Sequence, residues 1–197
     1  MARVIGNPLQ QLTAHTTYMR NEVSTHIAHQ GGFTLVELLV TIAIASILVS
    51  LAAPSFQTML LNNRMAGQTD ELTNALNYAR NTALSQSVGV IVCPIGAVSS
   101  STCGTDWGAG WVVVSDPSGT PTLIQSRLTV AGSPVVSSTA NVTFDARGLS
   151  TTQSNFTICD SRGTTFGRSV QVVATGSVQA GNTPGTAVWG TPALFCP

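Results

Sequence analysis

One apolar stretch, broken by a single charge, limits what this chain can be. Residues 31–54 read GGFTLVELLVTIAIASILVSLAAP. From Leu38 to Ala53 no side chain is charged, and Thr41, Ser46 and Ser50 are its only hydroxyls. Extended back to Phe33 the stretch has 21 residues, with Glu37 as the one ionisable side chain. A helix rising about 1.5 Å per residue would then cross the ~30 Å hydrocarbon layer of a bilayer. A carboxylate there is expensive, about 2.5–3.5 kcal/mol on insertion scales for the related Asp, so a partner is expected. The helix macrodipole favours an acid in the first turn, but only by about 0.3–1 kcal/mol.

An ordinary secretory signal peptide fits poorly. "SLAAPS" (50–55) supplies small residues for cleavage. However, the preceding 32 residues are long and polar, and the core exceeds the usual 7–15 residues. Charge flanks specify orientation weakly: Arg3 and Arg20 precede the run, Glu22 offsets one of them, and Arg64 follows.

The segment "GGFTLVELLVTIAIASIL" resembles the type III signal of type IV pilins and type II secretion pseudopilins. The resemblance implies cleavage between Gly32 and Phe33 by a prepilin peptidase on the cytoplasmic side. It also implies N-methylation of the new Phe33 terminus. Glu37 becomes the fifth residue of the mature chain, where the family carries glutamate. There it would pair with the terminal amine of a neighbouring subunit, each charge offsetting the other's desolvation.

Composition narrows the chemistry of the remainder. Charged residues are 8% of the chain and net charge is zero, so no strong field would gather nucleic acid or anionic lipid. There is no lysine, and His15, His26 and His29 all precede the apolar run. A chain cut at Phe33 would lack the bases of Ser-His-Asp or Cys-His couples and imidazole metal ligands. The carboxylates Asp70, Glu71, Asp106, Asp116, Asp145 and Asp160 show no grouping in sequence and read as turn and surface acids. No phosphate-binding glycine loop or metalloprotease pattern is present, and no cofactor or metal is expected.

Cys93, Cys103, Cys159 and Cys196 all follow the apolar run. An even count in a Ser/Thr/Gly-rich region suggests disulfides and an oxidising compartment. Three pairings are open. Chain proximity favours Cys93–Cys103 and Cys159–Cys196, closing loops that contribute roughly 3 and 4 kcal/mol. Buried free thiols are the alternative; zinc lacks a Cys-x-x-Cys pair.

Beyond Pro54, which should bend the helix, Leu72, Ala75, Leu76, Ala79 and Ala83 recur at three- and four-residue steps. Leu84 and Val88 lie beside this stripe. After Ser87, short β-like runs follow: VGVIVCP, GWVVVSD, TLIQSRLTV, NVTFDARG, SNFTICD and RSVQVVATGSVQAG, the last turning at Thr175-Gly176. No repeat stands out. Helix first and antiparallel strands after give an α+β, pilin-like fold with the helix laid on a β-sheet. The expected divisions are a cleaved leader (1–32), a membrane or filament-core half-helix (33–54), an amphipathic half-helix (55–87) and a β-rich head (88–197). Trp111 reads as core, while Trp107 and Trp189 are candidate exposed contacts.

The stretch "CPIGAVSSSTCGTDWGAGWVVVSD", with "FDARG", "TICDSRG" and "GRSVQVVATGSV", resembles the GspH/FimT branch of minor pilins. That implies a low-copy subunit of an inner-membrane-anchored pilus or secretion pseudopilus with its head in the periplasm. Other pilins, the peptidase and membrane lipid would be its partners, and it would not be an enzyme. DNA capture is the competing role. DNA-binding relatives carry Gly-Arg-x-Arg in the final hairpin, but here the match is Gly176-Ser177-Val178-Gln179. Arg162 and Arg168 are left as candidate phosphate contacts, with solvated strand-end charges as the plainer reading. A membrane-tethered hydrolase has no motif behind it.

Overall fold

The fold begins with a helix whose apolar residues change character along its length. The computed structural model describes residues 32–96, 101–115 and 119–196. The histidines, Gly31 and Asp116 lie outside them. Helix α1 (Leu35–Gln86) contains Pro54 without a break. The chain divides within α1 into two units, one ending at Ala45 and one beginning at Ser46.

In the first unit every described residue is exposed, including Phe33, Leu38 and Ile44. In the second unit, exposed apolar residues continue through Phe56, Met59 and Leu60. Burial starts at Met65 and then follows Leu72, Ala75, Leu76, Ala79 and Ala83, none more than 2% exposed. One face of a 3.6-residue period is therefore in the core. Ser87, at φ +55°, turns the chain left-handed just past the helix, where glycine is usual.

Eight strands follow among the described residues, arranged in two sheets. β1 (Val90–Pro94), β2 (Gly110–Ser115), β3 (Thr122–Leu128) and β5 (Val142–Phe144) form the first, in the order β3-β2-β1-β5. β4 (Val135–Ser138), β6 (Ser154–Cys159), β7 (Arg168–Val172) and β8 (Val178–Ala180) form the second, in the order β4-β6-β7-β8. All neighbouring strands are antiparallel. The split arises at β4, a four-residue strand that pairs Val136 with Ile158 of β6 rather than joining β3.

Both sheets turn one face to the helical stripe. Val90, Val92, Trp111, Val113, Val142 and Phe144 from the first sheet share a core with Phe156, Ile158, Val170 and Val172 from the second. Trp107 belongs to this core, contrary to its reading as an exposed contact. It is 4% exposed, and its ring meets Phe156 edge-on at 4.9 Å between centroids. Asp106 sets its position by accepting the Gly108 N–H at 2.8 Å, which caps the short turn Trp107–Ala109. The opposite face of the first sheet holds a smaller cluster of Cys93, Ile95, Val112 and Val114.

Candidate functional site

The candidate processing and assembly residues, Gly32, Phe33 and Glu37, lie at and just before the start of α1. Thr34 is the residue before the helix, and its Oγ1 accepts the backbone N–H of Glu37 at 3.2 Å. The Leu38 N–H reaches the Thr34 carbonyl at 3.1 Å. Thr-x-x-Glu at a helix start is the sequence pattern of a capping box. The sequence reading missed this role for Thr34, although the spacing was visible. Glu37 is exposed, and its carboxylate has no hydrogen-bond or ion-pair partner among the described residues. Gly32 and Phe33 precede the first helical residue, so the bond between them lies in non-helical chain. α1 is long and apolar enough to cross a membrane.

In the head, Cys93 is bonded to Cys103 and Cys159 to Cys196. The first bridge closes the loop after β1, where Ile95 pairs with Cys103 in an isolated bridge. The second ties the C-terminal segment to the end of β6, with Leu194 buried beside it.

The two candidate phosphate contacts differ. Arg162 is held on three sides. Its Nη2 donates to Asp160 Oδ2 at 2.7 Å and its Nη1 to Asn62 Oδ1 of α1 at 2.8 Å. The guanidinium also stacks 4.2 Å from the Phe166 centroid. The side chains of Arg162 and Asp160 are only 15% and 7% exposed. Arg168 makes one long bond, from Nη1 to the Asn182 carbonyl at 3.4 Å. The structure therefore does not bring the two arginines into one free basic surface.

The acids have structural partners too. Asp-Ala-Arg-Gly (145–148) and Asp-Ser-Arg-Gly (160–163) form the same turn twice, a repetition the sequence reading passed over. In each, Asp Oδ1 accepts the arginine N–H at 2.9 Å, the guanidinium returns to the carboxylate, and a glycine with φ +71° or +82° closes the turn. Leu149 N–H is the largest influence holding the Asp145 carboxyl below its ordinary range. For Asp160 burial pushes upward, but the Arg162 hydrogen bonds and charge outweigh it and leave the group lowered. Glu71 pairs with Arg127 of β3.

The family profile described as type II transport protein GspH matches residues 68–176, more than half of the chain. The chain belongs to the GspH family. A second profile, the prokaryotic N-terminal methylation motif, matches residues 27–53 of this GspH-family chain. No curated protein matches it. Two crystal structures of the type IV minor pilin FimU from Pseudomonas aeruginosa are similar. One has 24% identity and a TM-score of 0.47, over 59% of this chain and 92% of that one. The other has 22% identity and a TM-score of 0.46, over 61% and 95%. Membership and motif make this GspH-family protein a pilin- or pseudopilin-type subunit, a class that assembles with other pilins.

Proposed function

We propose that this chain is a minor pilin or pseudopilin cut between Gly32 and Phe33 by a prepilin peptidase and methylated on the Phe33 amine. Residues 33–54 insert in the inner membrane and later enter the filament core. Residues 55–87 carry the head, residues 88–197, on the periplasmic side. The observation that carries this reading is the Glu37 carboxylate, without a partner among the described residues, on the exposed apolar first half of α1. Such a surface needs lipid first and other subunits afterwards. Cleavage supplies the cation that Glu37 lacks, as the amine of an adjoining protomer. Two disulfides in the head suit an oxidising compartment.

Mass spectrometry of the mature chain tests this. The expected species begins at Phe33 with one added methyl, and a start near Ala53 would make it an ordinary secreted protein. Gene deletion then distinguishes the systems: lost surface pili or twitching means a pilus, and enzymes trapped in the periplasm mean secretion. A DNA-uptake role has less support, because Arg162 is already committed to Asp160, Asn62 and Phe166. A gel shift of the full chain in detergent at low salt checks it, with no retarded DNA expected.

A further inference from the structure

Trp189, a candidate exposed contact from the sequence, has no part in processing or assembly. It lines a recess on the outward side of the second sheet. β4 and β6 direct Val136, Phe156 and Ile158 to the core. By strand alternation Ser137, Asn155 and Thr157 face the other way, and they form the floor of the recess. The segment after β8 supplies the wall, with Trp189 and Phe195. The recess has a volume of about 380 Å³, near the lower end of small-ligand sites at roughly 300–1,000 Å³.

The aromatic wall is tied down. Cys196, next to Phe195, is bonded to Cys159 of β6. The buried Ser169 hydroxyl of β7 accepts the Val188 N–H at 2.9 Å and donates to the Thr186 carbonyl at 3.1 Å. Trp189 Nε1 donates to the Pro192 carbonyl at 2.9 Å. Phe195 nevertheless stays 75% exposed. Rings tethered in this way lose little freedom on meeting a ligand. The floor has hydrogen-bonding capacity to give. Asn155 Oδ1 accepts from Gln171 Nε2 at 2.9 Å, but Asn155 Nδ2 has no partner among the described residues. The Thr157 hydroxyl has none there either; only its carbonyl is used, by Ser137.

No charged side chain lines the recess among the described residues. A single strand of nucleic acid would stack on the rings but needs cations for its phosphates. A proline-rich peptide also suits aromatic walls. However, the Trp189 N–H, the natural donor to a peptide carbonyl, is already held by Pro192. A neutral sugar matches both parts. The C–H groups on one side of a pyranose ring pack on the electron-rich face of an aromatic ring. Its hydroxyls both donate and accept, as do a threonine hydroxyl and an asparagine amide.

We propose that this recess binds a neutral oligosaccharide, with Trp189 and Phe195 as stacking surfaces and Asn155 and Thr157 as hydrogen-bonding partners. The site lies wholly on the head and does not depend on the pilin reading.

Titration calorimetry tests it on the full chain, in a detergent without a sugar headgroup. Cellohexaose, chitohexaose and maltohexaose are the probes, and at least one should bind saturably. Phe195→Ser removes an exposed ring and should weaken that binding tenfold or more, with both disulfides still formed on a non-reducing gel. Trp189→Ala should do the same, whereas Trp189→Phe keeps a stacking face and should recover most of the affinity. Binding of none of the three sugars overturns the proposal, as does binding that survives Trp189→Ala combined with Phe195→Ser. Tighter binding of single-stranded DNA or of a proline-rich peptide than of any sugar also overturns it. A second measurement needs no variant. The bound sugar should slow oxidation of Trp189 by N-bromosuccinimide, read by mass spectrometry of its peptide; equal oxidation with and without sugar overturns the proposal.

Discussion

Arg80 of α1 donates its Nε–H to the carbonyl oxygen of Gly148, 68 residues further along, at 3.0 Å. Its Nη2 reaches the Thr175 carbonyl at 3.3 Å. One guanidinium thus holds the tight turns after β5 and β7 against the helix. Both turns need a left-handed residue, Gly148 at φ +71° and Gly176 at φ +77°. A Cβ on Gly176 would also strike the Gly148 carbonyl oxygen. Arg80→Met keeps the stem but leaves two carbonyls without their donor, and should cost about 1–3 kcal/mol. Arg80→Lys should recover only part of this, since a point charge cannot fork between two acceptors. Urea midpoints followed by tryptophan fluorescence, on the full chain in detergent, measure both.

The bridge Cys159–Cys196 encloses more chain than Cys93–Cys103, with separations of 37 and 10 residues. On the loop-entropy account the longer one should contribute about 4 kcal/mol and the shorter about 3 kcal/mol. Cys159→Ser with Cys196→Ser should therefore lower the urea midpoint more than the other pair. Proteolysis should also begin at the released C-terminal segment, which mass spectrometry of the fragments would show.

These interactions mark what the sequence could and could not reveal. The stripe from Leu72 to Ala83 was legible because helical period and burial coincide, and the final hairpin because Thr175-Gly176 punctuates two β-rich runs. β4 was missed. Val135–Ser138 has two apolar residues before a run of serines, too short for a period-2 pattern. Without β4, the division into two sheets could not be foreseen. Trp107 lies among glycines in a turn-like stretch, and only its contact with Phe156, far along the chain, makes it core. The role of Arg80 leaves no mark in the sequence, because both of its acceptors are backbone atoms in distant turns. The N-terminal methylation motif was legible because it is a pattern in linear sequence that needs no distant contact.

Acid should weaken the head through Asp160. Its carboxyl sits below the ordinary 3.8 because Arg162 outweighs the upward push of burial. The unfolded chain then takes up the proton first. The contribution is complete above the unfolded value and is lost as pH falls through the folded one. Asp145, lowered chiefly by the Leu149 N–H, adds in the same direction. Asp160→Asn should cost about 1–3 kcal/mol at neutral pH and less in acid. Denaturant midpoints of the two proteins at pH 7 and pH 3 should therefore converge at the lower pH.

Thr34→Ala removes the acceptor of the Glu37 N–H. Loss of an N-cap costs about 1 kcal/mol, which corresponds to roughly fivefold faster exchange of that amide. Hydrogen exchange in micelles reads this directly. Thr34→Ser keeps the oxygen and should exchange as the wild type does.

Glu37→Gln isolates the charge from the shape. Glutamine is nearly isosteric and serves equally in a capping box, so the helix start is preserved. Without a buried carboxylate, insertion into the membrane should be as good or better, by the few kcal/mol that an acid costs there. Cleavage between Gly32 and Phe33 should proceed, since the substitution lies beyond that bond. What changes is the partner's ammonium, which is left in low dielectric with no counter-charge. Filament-associated protein should fall tenfold or more while membrane-associated protein rises. Immunoblots of sheared filaments and membranes measure both. An unchanged distribution would mean that the amine and the carboxylate do not meet during assembly.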